Sequence, residues 1–419
     1  MKMRVTSLLI HSVAFFTAII LVPSPGVAAP AKGAEVQAIV TQEVRPLMTR
    51  YGIPGMAVGV SIDGRDYVFN YGVASKATGK PVERTTLFEI GSITKTFTAS
   101  LASYAQVTGR LSLSDWVSTD VPSLRGTSFD HVRLVNLGTH TAGGLPLQFP
   151  DNVRSDEDAM RYYERWKPSH RAGTYRLYSN PSPMLLGVAT AKRMNSDFAA
   201  LMQRVILTPL GLSNTFLAVP RDRLSRYAQG YTREGKPKRM SPGPLASEAY
   251  GIRTTASDML RFVDANLNLL RPDATLSRAI NNTHAGYYRV GNMTQDLIWE
   301  QYRCPVALSI LLQGNSDKMI FGENKVATID PPSIPQSDVL INKTGSTNGF
   351  GAYVAFIPRQ KMGIALLANK SYPISARVSA AYRILARLNE KAPNGSYCVG
   401  SATNAAAGRS FGNAMSSKR

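Results

Sequence analysis

Phe88-Glu-Ile-Gly-Ser92-Ile-Thr-Lys95-Thr-Phe-Thr98 is the stretch on which the fold and the chemistry of this chain turn. A serine hydroxyl is a weak nucleophile at neutral pH. It needs a base within reach and a site that stabilises the anion it becomes. A lysine three residues on lies one helical turn away on the same face, so a helix here brings ammonium to hydroxyl without help from the rest of the chain. Gly91 lets the backbone turn tightly into that helix. The positive end of the helix dipole then falls at Ser92, favouring an alkoxide and disfavouring a charged lysine. Ser-x-x-Lys also arises by chance in most long chains, so its meaning depends on what the flanking sequence supplies.

Outward from this stretch, the pattern predicts a layered α/β (α+β) fold. On the N-terminal side, Val36, Ile39, Val40, Val44 and Leu47 recur at helical spacing over 35–51. Gly55–Ile62 and Tyr67–Tyr71 read as strands joined by an Asp63-Gly64 hairpin turn. On the C-terminal side, Leu111 to Met202 is mostly helical. Gly351–Ile357 and Gly363–Ala368 are apolar strands, and 375–388 is a closing amphipathic helix with Ser375 placed to cap it. Strands near both ends with helices between them imply an antiparallel sheet flanked by helices and a helical region inserted into it. The expected boundaries are a signal peptide over 1–29, a first α/β part over 30–104, a helical region over 105–205, a second α/β part over 206–392 and a disordered tail over 393–419.

The 419 residues suffice for one large or two intimate domains. Lys2 and Arg4, a short apolar run over 13–22, then Pro23, Pro25 and small residues follow the order of a secretory signal. The run is too short to span a bilayer, and no later stretch is long enough. The mature protein is therefore expected to be exported, without stable membrane insertion. Cys304 and Cys398 then meet an oxidising compartment, but spacing alone does not decide whether they pair. The formal charge of +20 could favour nucleic acid or anionic envelope polymers. Its basic residues are scattered, densest at Arg161, Arg165, Lys167, Arg171 and Arg176, and no nucleic-acid motif accompanies them. A general surface property of an envelope protein accounts for the charge better.

Two further elements carry chemistry. Tyr175-Arg-Leu-Tyr178-Ser-Asn180 presents a phenol and an amide from one loop. The phenol needs nearby cations before it can act as a base near neutral pH. Lys343-Thr344-Gly345-Ser346 puts an ammonium and a hydroxyl beside a residue with no side chain, so a ligand backbone can approach closely. The N–H groups of Ser346 and Ser92 could together hold an oxyanion. Ser-x-x-Lys, Ser-Asp-Asn and Lys-Thr-Gly, in that order, form the signature of class A β-lactamases and penicillin-binding proteins; here Tyr178-Ser-Asn180 stands where Ser-Asp-Asn would.

With Tyr-Ser-Asn in the middle place, the chain resembles the class C serine β-lactamases, the cephalosporinases. The resemblance runs from about residue 35 to residue 388. It includes Ile53-Pro-Gly-Met-Ala-Val58, Thr141-Ala-Gly-Gly-Leu-Pro-Leu-Gln148, Glu248-Ala-Tyr250-Gly and Ala368-Asn-Lys-Ser-Tyr-Pro373. It implies the β-lactamase/transpeptidase-like fold, a periplasmic monomer and hydrolysis of a small-molecule β-lactam with no cofactor. By that resemblance Ser92 is acylated and Lys95 helps to deprotonate it. Tyr178 relays protons to the leaving nitrogen and activates the deacylating water, while Lys343 keeps the potential positive. Gln148, Asn180, Tyr250, Thr344, Gly345 and Ser346 bind the substrate. Ile374 stands where many relatives have an asparagine, so Arg377 is expected to take up more of the substrate carboxylate. His140 replaces a more usual aromatic, with an expected effect on packing only.

Other chemistries fit less well. The five histidines form no His-x-His-x-Asp or His-Glu-x-x-His, which disfavours a zinc hydrolase, and no Gly-x-Ser-x-Gly marks an α/β-hydrolase. A D-alanyl-D-alanine carboxypeptidase or a β-lactamase-like esterase would use the same serine machinery. A non-catalytic, basic envelope-binding protein would be a different class altogether.

Overall fold

A computed structural model describes residues 28–390 and 398–400; the signal-peptide run and most of the expected tail lie outside the described residues. Thirteen strands are described: β1 Gly55–Ile62, β2 Arg65–Gly72, β3 Phe88–Glu89, β4 Tyr175–Arg176, β5 Arg253–Thr254, β6 Gly286–Val290, β7 Met293–Asp296, β8 Glu300–Arg303, β9 Asn324–Lys325, β10 Ala327–Ser333, β11 Val339–Ser346, β12 Gly351–Ile357 and β13 Met362–Ala368. Nine of them form one sheet in the order β10-β6-β7-β8-β11-β12-β13-β1-β2, and its neighbours are antiparallel. The N-terminal hairpin thus closes against the last strand of the chain, as expected from strands at both ends. The β6–β8 meander and β10 extend the sheet on the far side; their short segments carry little period-2 signal.

The central strands are buried on both faces, and their side chains alternate between two cores. Along β12, Tyr353, Ala355 and Ile357 face one core while Ala352, Val354 and Phe356 face the other. The first core is closed by helices Ala28–Tyr51 and Ile374–Asn389, through Val40, Val44, Ile384 and Leu385. The second is closed by helices Ala256–Asn266 and Thr94–Val107, with the Phe97 and Phe262 rings stacked 3.9 Å apart. A third core holds the helical region together around Leu137, Leu185, Leu186 and Leu297.

Two local expectations change. The closing helix begins one residue earlier and is capped at Pro373, with no side-chain cap bond, so Ser375 sits inside its first turn. Within the segment expected to be a disordered tail, Cys398–Gly400 is packed against the sheet. Cys398 is bonded to Cys304, Val306 N–H donates to the Cys398 carbonyl at 2.7 Å, and Tyr382 Oη bridges Val306 and Gly400. The Gly/Ser-rich composition around these residues hid an anchor made by one covalent bond. No described helix is long and apolar enough to cross a membrane.

Candidate active site

Gly91–Ile93 forms a single 3-10 turn that runs directly into helix Thr94–Val107, so Ser92 sits at the mouth of the helix and Lys95 in its first turn. This turn is pressed against β11. A Cβ on Gly345 would lie 1.8 Å from the Ile90 carbonyl, and one on Gly91, whose φ is +51°, would lie 2.5 Å from the Ser346 carbonyl. Only two glycines let the strand and the nucleophile turn approach this closely, which brings the Ser92 and Ser346 backbones together. The ladder between β11 and β8 runs from Val339 to Asn342 and stops there, while β12 pairs with β11 as far as Ser346. The Lys343–Ser346 edge is therefore left open beside Ser92, as a strip against which an extended ligand can lie.

Lys95 is wholly buried and donates to three acceptors: Ser92 Oγ at 2.9 Å, Asn180 Oδ1 at 2.5 Å and the Ala249 carbonyl at 3.1 Å. Burial pushes its ammonium down to about 8, against the opposing pull of the Tyr178 phenolate. Tyr178 lies between two lysines. Lys343 Nζ is 5.0 Å and Lys95 Nζ 5.4 Å from its ring centroid. Burial raises its phenol, but Lys343, Lys95 and a hydrogen bond from Ser92 outweigh that and bring it down to about 8. Two groups whose ordinary values are 10.5 and 10.0 thus both come within reach of neutral pH, one by desolvation and the other by cations. A proton can pass between phenol and amine at little cost, and either group in its basic form can take the proton of Ser92 as it attacks.

The remaining expected residues converge on this centre, with one exception. Asn180 turns its oxygen to Lys95, leaving its amide N–H₂ for a ligand. Its backbone N–H donates to the Leu147 carbonyl at 3.0 Å, which seats exposed Gln148 beside the same loop. Half-buried Tyr250 follows Ala249, the residue whose carbonyl holds Lys95. Thr344 is half-buried on the open edge, and its carbonyl accepts from Lys343 Nζ at 3.4 Å. Arg377 is the exception. Its side chain is wholly buried, with Nη1 donating to the Gly345 carbonyl at 2.6 Å, Ser346 Oγ at 3.0 Å and the Ala352 carbonyl at 3.2 Å, and Nη2 to the Tyr372 carbonyl at 2.5 Å. A guanidinium enclosed in this way has no face left for an incoming carboxylate. It braces the end of β11 instead.

Three neighbours of Tyr178 carry no motif signal. Arg176, placed in the basic surface cluster by sequence, is 1% exposed and lies 5.6 Å from the Tyr178 ring centroid. It donates to Gln295 at 2.6 Å, to Glu300 at 2.9 Å and to the Met319 carbonyl at 2.7 Å. Glu300 also lies 3.9 Å from Lys343, so it ties both cations together beneath the phenol. Glu300 and Gln295 come from the meander that the sequence pattern does not resolve. His140, the third, lays its ring against that of Tyr178 at 4.5 Å. Among the described residues, no group of three His, Cys, Asp or Glu could hold a metal ion.

A family model described as Beta-lactamase matches residues 40–389. A curated Beta-lactamase of Lysobacter lactamgenus is 49% identical over 378 residues, covering 90% of this chain and 97% of the relative. Among solved structures, a D-alanine carboxypeptidase from Burkholderia cenocepacia superposes with a TM-score of 0.81 at 51% identity, over 84% of this chain and 99% of the other. A class C beta-lactamase in complex with cefoxitin superposes with a TM-score of 0.83 at 47% identity, over 85% and 99%.

Proposed function

The chain belongs to the beta-lactamase family, and from that premise we propose that it hydrolyses the β-lactam amide of cephalosporins and related antibiotics as a class C serine enzyme, through an acyl-enzyme on Ser92. The observation that carries this reading is the Ser92–Lys95–Tyr178 cluster, with its phenol and amine both drawn to about 8 beside a nucleophile and an open strand edge.

The lactam lies along the Lys343–Ser346 edge, with its carbonyl between the N–H groups of Ser92 and Ser346. Ser92 Oγ attacks the carbonyl carbon and its proton passes to the Tyr178 phenolate, while protonated Lys95 holds Oγ and Asn180. The two N–H groups hold the oxyanion, where one such donor is typically worth about 3 kcal/mol. Collapse breaks the C–N bond, and Tyr178 returns its proton to the departing nitrogen. A water then gives a proton to Tyr178 and attacks the ester, and Ser92 Oγ leaves and recovers that proton. Asn180 and Gln148 bind the side-chain amide, and Tyr250 walls the side chain. Lys343 and Thr344 take the carboxylate. Arg377 acts through Ser346, by holding the end of the strand.

Export to the periplasm as a soluble monomer belongs to the same proposal. Its support is the basic start, short apolar run and small-residue segment at the N-terminus. The peptidase alternative shares acylation and differs in how fast the acyl group leaves; the class C neighbours favour the lactamase. Purified protein should turn over a chromogenic cephalosporin, with the activity lost in Ser92→Ala. Turnover that survives this substitution would sink the proposed mechanism. A stable penicilloyl adduct with no turnover would support the peptidase instead.

A further inference from the structure

His140 was expected to affect packing only, yet it touches the residues around Tyr178 at three points. Its carbonyl accepts from Leu177 N–H at 3.0 Å, and its Nδ1 accepts from Ser179 N–H at 3.3 Å. These are the two residues flanking Tyr178. The His140 ring itself lies against the phenol ring, with centroids 4.5 Å apart and a tilt of 42°. One residue thus grips the backbone on both sides of Tyr178 and supports its ring.

The grip is built on a buried and conformationally demanding position. His140 is 2% exposed and has a φ of +59°, the left-handed region that costs a residue with a Cβ about 1 kcal/mol or more. Its turn is held from the other side, with Thr141 N–H donating to Asn136, Gly173 N–H to Thr141 and Ile298 N–H to Gly138. Such a conformation persists only where the surrounding structure fixes it.

We propose that His140 is a positioning residue for Tyr178, acting as a neutral imidazole that carries its proton on Nε2 and accepts at Nδ1. An acceptor role at Nδ1 requires this tautomer, because the protonated ring has only donors. The groups facing it agree. Burial, followed by the cations of Arg176, Lys95 and Lys343, holds the imidazole well below its ordinary value, and the phenol ring of Tyr178 lies against its face. A protonated ring would turn an N–H towards Ser179 N–H and release the grip. Phenol placement relative to Ser92 would then loosen, and misplacement of a proton-transfer group by about 1 Å can cost 10²-fold in rate. Among the described residues Nε2 is buried without a partner, so the ring makes its contribution through Nδ1 and its face.

The inference rests on Tyr178 being the proton relay of the proposed reaction, and wild-type turnover of a chromogenic cephalosporin serves as the control for that reading. Two measurements then test the positioning role. With ¹⁵N-labelled histidine, the wild-type protein should show His140 as the Nε2–H tautomer, without titrating from about pH 5 to about pH 9. An Nδ1–H tautomer, or titration within that range, overturns the proposal without any variant. In kinetics, His140→Phe keeps an aromatic face and loses the acceptor. It should lower kcat roughly 10- to 100-fold with KM changed less than about threefold, and displace the pH profile of kcat/KM. His140→Asn tolerates the left-handed backbone and can restore an acceptor, so it should recover part of kcat and of the profile. If folded His140→Phe keeps wild-type kcat and pH profile, the positioning role is wrong. If it fails to fold, the tautomer result and His140→Asn decide.

Discussion

A phenol enclosed by protein ionises reluctantly, and Tyr178 reaches about 8 chiefly because two ammonium groups face it, with a hydrogen bond from Ser92 adding to their effect. Each group can be tested by removing it. With Lys343→Met the phenolate loses its largest source of stabilisation, so its ionisation must move up from about 8 towards the ordinary phenol value. The rising limb of kcat/KM against pH reports the shared ionisation of Tyr178 and Lys95. It should therefore move to higher pH, by about half a unit or more. A limb that stays in place or moves down would remove Lys343 from the electrostatics of the site. At this scale the sequence was informative where a motif carried the residue and silent otherwise. Ser92, Lys95, Tyr178, Asn180 and Lys343 are found by pattern and meet in the structure. Arg377 was assigned from the missing asparagine at Ile374, but its side chain points into the protein, and burial is not visible from spacing. Arg176 and Glu300 form a buried pair 124 residues apart, which no local pattern could reveal.

At the scale of elements, the site depends on β11 lying directly on the turn that carries Ser92. Gly345→Ala would place a methyl group 1.8 Å from the Ile90 carbonyl, a contact between backbone and Cβ that no side-chain rotation relieves. The strand must move away from the turn, separating the Ser346 and Ser92 N–H groups. We expect kcat/KM to fall by at least about 10²-fold, the typical loss for one oxyanion donor. Stability should fall as well. Steady-state rates with thermal unfolding on the same sample would check this, and near-wild-type kcat/KM would mean that the close approach is not needed. The strands at both ends and the closing helix were legible because their apolar runs or helical spacing are long. The β6–β8 meander was not, because strands of five, four and four residues that mix polar and apolar side chains are too short to give a clear periodicity.

At the scale of the whole molecule, the Cys304–Cys398 bond joins residues 94 apart and secures Cys398–Gly400 to the sheet next to Val306 and Tyr382. Neither cysteine touches the site. Closing a loop of this length restricts the unfolded chain by roughly 4–5 kcal/mol on the chain-entropy model. Cys304→Ser with Cys398→Ser should lower the denaturation midpoint clearly while leaving kcat at 25 °C within about twofold. An unchanged midpoint would mean the bond adds nothing to stability. The pairing could not be read from sequence, since it depends on β8 ending where the last described residues return. The fold and the chemistry meet in one claim, that Ser92 is acylated and then quickly freed. The most direct test is rapid-quench mass spectrometry of the protein mixed with a cephalosporin, with the adduct mapped to a peptide. A transient adduct on the Ser92 peptide, rising and decaying within the turnover time as hydrolysed product accumulates, is the predicted result. Product formation with no adduct on Ser92, or an adduct there that outlasts turnover, would contradict it.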